Sequence, residues 1–217
     1  MSIAEAVIRD LDRTDYEILS KIIDDEWRFN LYSKKCGLEM ATYYLLHCAN
    51  GANVAKTVLV DGEPCGIMVI REMPGDTIDL SEDLQRSKDS LMHLKGDFER
   101  MEEDIDELHR IYDAFASKFK KPEWAELRLL ILSDKHKGMG LGRRLMEEAT
   151  KCASNRGMTG LFFYTDTDCN VGFYDHIGAV RIGQEDTICT GEPLTVFGYY
   201  LEFRPSVNKK RRKRTII

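Results

Sequence analysis

Lys137-Gly138-Met139-Gly140-Leu141-Gly142 decides how this chain is read. Three alternating glycines stand where the main chain must bend sharply and turn its N–H groups outward. Before them, Leu127-Arg128-Leu129-Leu130-Ile131-Leu132 is short and apolar, the composition of a buried strand. After them, Leu141, Leu145, Met146, Ala149, Cys152 and Ala153 recur at helical spacing, the helix reaches Arg156, and Gly157 supplies a stop. A strand, a glycine turn and a helix N-terminus make a site for a phosphate group. Converging amides and the positive end of the helix dipole both favour an anion there.

Two other glycine motifs fail on register. A Walker loop needs Gly-x-x-x-x-Gly-Lys before Ser or Thr, and counting from Gly138 reaches Arg143. The dinucleotide fingerprint Gly-x-Gly-x-x-Gly fails from both of its possible starts. What remains is a basic residue, two spacers, Gly, one spacer, Gly. That pattern resembles the pyrophosphate loop of the GNAT superfamily of acyl-CoA N-acyltransferases, usually Gln or Arg-x-x-Gly-x-Gly/Ala. Lys137 departs from it mildly, keeping the charge and giving up bidentate geometry. The competing reading of the six residues alone is a strand-to-helix turn with no ligand.

A second signature follows some thirty residues later. Gly160-Leu161-Phe162-Phe163-Tyr164-Thr165 reads as the next strand, and Asp168 to Ala179 as an Asn ahead of a short helix carrying Phe173-Tyr174 and closing at Gly178. Asn170 and Tyr174 are one helical turn apart, so they share a face. This is similar to the family's second motif. In isolation, Phe173 and Tyr174 read equally as helix core with Asn170 an N-cap. The resemblance spans roughly residues 126–203, and more loosely the N-terminal part.

It implies an α/β (α+β) fold: a mixed, mostly antiparallel sheet of about six to seven strands flanked by helices. The rest of the chain agrees. Ala4 to Leu11 reads as an opening strand, and Thr14-Asp15 offer cap chemistry for a helix through about Arg28 with Tyr16, Leu19, Ile22, Ile23 and Trp27 as its stripe. A second helix spans Leu38 to Ala49. Lys56–Val60 and Cys65–Ile70 make a hairpin across Asp61-Gly62, and Ala179–Ile188 and Thr195–Phe203 are the closing strands.

Between residues 77 and 120 the chain departs from the compact family pattern. Apolar residues from Leu80 to Phe119 recur every three or four positions over about forty residues, too many for one ordinary helix. Lys95-Gly96-Asp97 is the expected break. A helical hairpin packed over the sheet edge or near the active site is the first reading, and one uninterrupted helix used for dimerisation the second. Either way, residues 77–120 are an insertion in a single domain of residues 1–203, and they encode substrate specificity or partners.

Composition bounds the function. Of 217 residues, 43% are hydrophobic and 31% charged, an ordinary globular balance. No apolar run is long enough for a membrane span, and the N-terminus lacks the order of a signal peptide. Six cysteines without Cys-x-x-Cys spacing read as reduced thiols of a cytoplasmic protein, and five histidines without His-Glu-x-x-His pairing imply no metal. The net charge of −6 includes six positive charges at 209–214, within a C-terminal tail at 204–217, so the remainder carries −12. An acidic body suits cationic amines, though solubility explains it equally well. The tail is either a solvated end or an electrostatic anchor for nucleic acid or anionic lipid.

The resemblance implies acetyl-CoA as co-substrate and an amine as acceptor, with direct transfer and no acyl-enzyme, in keeping with the absence of a Ser-His or Cys-His signature. It assigns the loop, Lys137, Gly138, Met139, Gly140, Leu141, Gly142 and Arg143, to the diphosphate, and the main chain of Leu130, Ile131 and Leu132 to the pantetheine arm. The Leu132 N–H is the donor for the thioester oxygen. Tyr174 is the general acid toward the leaving thiolate and Asn170 a binding residue. Glu126, eleven positions before Lys137, is the base; water, with Glu126 in an ion pair with Arg128, is the alternative. Asp166 and Asp168 attract the amine or serve as caps. The competing classes are a non-catalytic acyl-CoA-binding module and a ribosome- or RNA-associated protein anchored by the tail.

Overall fold

The computed structural model describes residues 6–203; the basic run at 209–214, and residues 4 and 5 of the expected opening strand, lie outside the described residues. The elements are β1 (Ala6–Asp10), α1 (Tyr16–Trp27), α2 (Gly37–Ala49), β2 (Val54–Val60), β3 (Glu63–Arg71), α3 (Ser81–Leu91), α4 (Lys95–Phe119), β4 (Trp124–Leu132), α5 (Leu141–Asn155), β5 (Gly160–Asp166), α6 (Val171–His176), β6 (Val180–Cys189) and β7 (Glu192–Glu202). Seven strands form one sheet in the order β1-β2-β3-β4-β5-β7-β6. Only β4 and β5 pair in parallel; all other neighbours are antiparallel. This is the mixed, mostly antiparallel sheet the sequence predicts. Among the described residues no helix is long and apolar enough to cross a membrane.

Alternation along the strands sorts two cores onto opposite faces. Leu129 and Ile131 of β4 join Ile67 and Val69 of β3 under α1, α2 and the first half of α4. Ala125 and Leu127 face the other way, against Leu145, Met146 and Ala149 of α5 and Tyr174 of α6. A slip of register makes this possible. Ile70 pairs with Leu127 and Val69 with Leu129, so Arg128 is an extra residue on β4, a β-bulge. Past it the strand's apolar side chains change phase, and Leu130 and Leu132 pack toward α5.

The long amphipathic segment is two helices joined by a 3-10 turn at Met92–Leu94. The break thus precedes the expected Lys95-Gly96-Asp97, which forms the first turn of α4. Packing decides the point: Leu91 before the bend and Phe98 and Met101 after it all enter the core beneath α1 and α2. The far half of α4 crosses the sheet over β6 and β7, where Ile111 meets Leu194 and Val196. Gly183 and Gly198 admit the Phe115 ring there; a Cβ on Gly183 would lie 2.9 Å from Phe115 Cε1.

Candidate active site

The sheet opens at its one parallel pair. β4 and β5 are in register from Trp124↔Gly160 to Leu127↔Phe163 and no further, although β4 runs on to Leu132 and β5 to Asp166. The bulge at Arg128 lies immediately beyond the last pair, and it bends β4 away. Beyond it, one edge of β4 has lost its partner strand. Ser133 donates its N–H to Cys65 O on β3 at 2.9 Å. Because successive residues alternate direction, Leu132 and Leu130 turn their N–H and C=O into the cleft. Ile131 faces the opposite way, its carbonyl lying against Gly66. The main chain of Ile131 is thus turned to β3, and of the three residues expected at the pantetheine arm Leu130 and Leu132 are the two whose main chain faces the cleft.

The glycine stretch caps the open end. Gly138 and Gly140 have φ of 80° and 78°, conformations that glycine adopts at low cost, and a Cβ on either would meet nothing within 4 Å. Gly140 is the N-cap of α5 and makes no side-chain bond. The first amide with an acceptor is Arg144, whose N–H donates to Gly140 O at 3.2 Å; those of residues 138–143 have none among the described residues. Six donors without acceptors at a helix N-terminus are chemistry for an anion. Met139 and Arg143 are exposed beside them. Leu141 instead packs its side chain into the core, and Gly142 lies against the Phe173 ring. Lys137 is placed at the loop, but its Nζ pairs with Glu26 on α1 and with Asp134, at 2.7 Å each.

On the far side of the cleft is a cavity of about 140 Å³. Leu127 to Leu130 and Phe163 to Asp166 frame its mouth, and Tyr174 lines it. Tyr174 is buried against Phe163 and Tyr199, with ring centroids 4.9 and 5.8 Å away, and its hydroxyl makes no hydrogen bond among the described residues. Burial, with the nearby Cys169 and Asp166, raises its pKa well above that of a free phenol. Burial likewise pushes Cys169 up to about 12 and Cys189 to about 11, so both thiols that line the cavity are protonated at neutral pH. Asp166 is raised too, by burial first.

Two other site residues stand apart. Glu126 is 4% exposed and absent from the cavity wall; its carboxylate accepts from Arg71 Nε at 2.8 Å and faces Arg128 at 3.5 Å. Asn170 is exposed at the N-cap of α6, its side chain making no cap bond, and it does not line the cavity. The remaining wall escaped the sequence reading residue by residue. Asp104 and Tyr112 on α4, Tyr32 after α1, and Cys189 and Thr190 of the β6–β7 turn converge there. Asp104 looks like one more charge on a solvated helix face until Tyr32 Oη and the Thr190 N–H are seen to donate to it, at 2.7 and 2.8 Å.

The sequence profile of the Acetyltransferase (GNAT) family matches residues 16–179. No curated protein matches the chain. Among solved structures, PH1933 from Pyrococcus horikoshii OT3 is similar at a TM-score of 0.60 and 12% identity, covering 92% of this chain and 99% of that one. The ribosomal-protein-S18-alanine N-acetyltransferase from Escherichia coli gives 0.54 and 11%, over 94% and 98%. An acetyltransferase of the GNAT family from Streptococcus pneumoniae gives 0.51 and 16%, over 92% and 100%. At such identities the likeness is one of fold.

Proposed function

Because this chain belongs to the Acetyltransferase (GNAT) family, we propose that it moves the acetyl group of acetyl-CoA to a primary amine by direct attack in a ternary complex. The observation that carries the reading is a coincidence at the open end of β4. Six amides without acceptors at 138–143 and a phenol without a partner at Tyr174 meet the same parted strands. The diphosphate would sit on the amides and the pantetheine arm would add to β4 through Leu130 and Leu132, as a strand adds to a sheet edge. Lys137 and Arg143 supply positive charge beside the diphosphate, and Asn170 contacts the arm from the start of α6.

The amine attacks the thioester carbonyl from the cavity side. The Leu132 N–H faces the oxygen as it gains charge, a donor of the kind worth about 3 kcal/mol of barrier. As the C–S bond breaks, Tyr174 gives its proton to the departing thiolate. The nitrogen loses its surplus proton to Asp166 or through water to the solvent. Glu126 serves this step poorly, because Arg71 and Arg128 hold its carboxylate outside the cavity. No acyl-enzyme is needed, and the two cavity thiols, kept protonated, offer no nucleophile.

In this reading residues 77–120 adapt a GNAT core to its acceptor, and the enzyme works in the cytoplasm, where six unbridged cysteines persist. The test has two parts. Acetyl-CoA at one hundred times its Kd should stabilise the fold by about 2.7 kcal/mol, and a panel of primary amines should release free thiol from it. A fold indifferent to acetyl-CoA, with no thiol released by any amine, overturns the proposal.

A further inference from the structure

Two of the carboxylates that line the cavity, Asp104 and Asp166, are treated differently from those buried elsewhere. Asp15, Asp83 and Glu126 are the buried carboxylates of the described residues, and each has an arginine: Arg9, Arg13 and Arg71, at 2.6, 2.9 and 2.8 Å. Asp104 and Asp166, half-buried on the cavity wall, have none. Asp104 is held by two neutral donors, Tyr32 Oη and the Thr190 N–H, so α4, the turn after α1 and the β6–β7 hairpin all fix its direction. Asp166 accepts from the Asp168 N–H, at 3.0 Å, and from Cys169, again neutral donors. The two guanidiniums at the wall are already committed, Arg28 to Asp168 at 3.1 Å and Arg128 to Glu126 and His109.

Two fixed carboxylates in one small cavity, without a counter-charge among the described residues, call for a cation to occupy it. The same cavity has an aromatic wall. Trp27, Tyr44, Phe29 and Tyr32 touch in that order at centroid distances of 5.4 to 6.0 Å, a surface that attracts a cation through its ring faces. Thr165, 5% exposed on the same wall, has a hydroxyl without a partner.

A reacting amine cannot be what satisfies both acids. Nitrogen must be neutral to attack, and a cage of carboxylates and rings would hold it protonated. The two acids therefore divide the work along the cavity. Asp166 closes β5, three residues after Phe163 at the point where the strands part, and lies in the field of Tyr174. Asp104 lies at the α4 and β6–β7 end. We infer that the acceptor is a dicationic amine, whose reacting nitrogen lies at the Asp166 end and whose second nitrogen, an ammonium at neutral pH, is held by Asp104 against the Tyr32 side of the aromatic wall.

The inference rests on the transferase reading, and the experiment separates the two. Thiol release from acetyl-CoA is followed with α,ω-diamines of three to six carbons, with n-butylamine and with phenethylamine. In parallel, binding of the same amines without acetyl-CoA is read from the fluorescence of Trp27, which lines the cavity. At least one diamine should exceed both monoamines by tenfold or more in kcat/KM. Asp104→Asn, which keeps an acceptor for Tyr32 and Thr190, should cut that diamine's kcat/KM and its binding at least tenfold more than it cuts those of butylamine, mainly through KM. Asp166→Asn should lower kcat for diamine and monoamine alike. If thiol release shows no diamine preference, or Asp104→Asn affects both classes equally, the inference fails while the transferase stands. If no amine releases thiol, the transferase reading fails, and diamine binding lost in Asp104→Asn still identifies the cation site.

Discussion

Lys137 Nζ lies 2.7 Å from Glu26 Oε2, which ties the glycine loop to the last turn of α1, the helix that ends in Trp27 on the cavity wall. Asp134 takes the same ammonium at 2.7 Å. A diphosphate on the amides of 138–143 thus competes with two carboxylates for this charge. Glu26→Gln should tighten CoA binding and Lys137→Ala should weaken it, each by about fivefold at low salt. Both effects should fade with added salt, because the lysine is 44% exposed. Titration of CoA at two salt concentrations checks it, and a weaker Glu26→Gln complex would refute the competition. Stability should shift by no more than about 0.5 kcal/mol in either variant.

Tyr174 offers a cleaner chemical test. Its ring is packed on three sides by Phe163, Phe173 and Tyr199, and those contacts survive in phenylalanine. Among the described residues the hydroxyl has no partner whose loss would disturb the fold. Tyr174→Phe should lower turnover at least tenfold and leave the Kd for CoA within about twofold. Turnover at the wild-type level would remove Tyr174 from the mechanism.

What the sequence disclosed depended on how local the signal was. The strand, glycine turn and helix at 127–156 are contiguous, so period and punctuation suffice, and the Asn170-to-Tyr174 helix is equally compact. The Arg128 bulge was invisible, because it is a property of pairing with β3 rather than of β4 alone. That bulge settles which of Leu130, Ile131 and Leu132 face the cleft. Glu126 and Arg128 do share a face, as their spacing predicts, yet nothing in the spacing shows Arg71 arriving from β3 to hold the carboxylate. The break at Met92–Leu94 was displaced by packing of Leu91 and Phe98, a tertiary cause that overrides the glycine at 96. Of the cavity acids, Asp166 is legible from its place at a strand end near Asn170, whereas Asp104 acquires its meaning from Tyr32 and Thr190, 72 and 86 positions away.

Gly66 tests the geometry of the open edge from the strand behind it. It pairs with Leu132, and a Cβ there would lie 2.4 Å from Ile131 O and 2.6 Å from Leu132 Cδ2. Main chain cannot yield as a flexible side chain does, so Gly66→Ala must push β3 from β4 where the cleft begins. The expected cost is about 2 kcal/mol of stability, read from denaturant midpoints. The Kd for CoA should rise as Leu130 and Leu132 shift. A variant as stable as the parent would show that the end of β4 yields freely to a Cβ at position 66.

His47 and His109 stack at 5.4 Å between α2 and α4, and Arg128 donates to His109 Nε2. Burial, then the Arg128 charge, lowers His47 to about 4 and His109 to about 3. In the unfolded chain both titrate near 6.5. Below that pH the unfolded state binds protons that the folded state refuses, so stability is complete above about pH 6.5 and falls as the pH drops toward 4. Each histidine contributes a slope of up to about 1.4 kcal/mol per pH unit inside that window. Urea midpoints between pH 7 and 5 isolate it, since ordinary carboxylates titrate lower. His47→Gln with His109→Gln should flatten the pH dependence there, and each single variant should remove part of it. A double variant with the parent's slope would place the acid sensitivity elsewhere, and Arg128 would then have to tolerate a charged imidazole against its guanidinium.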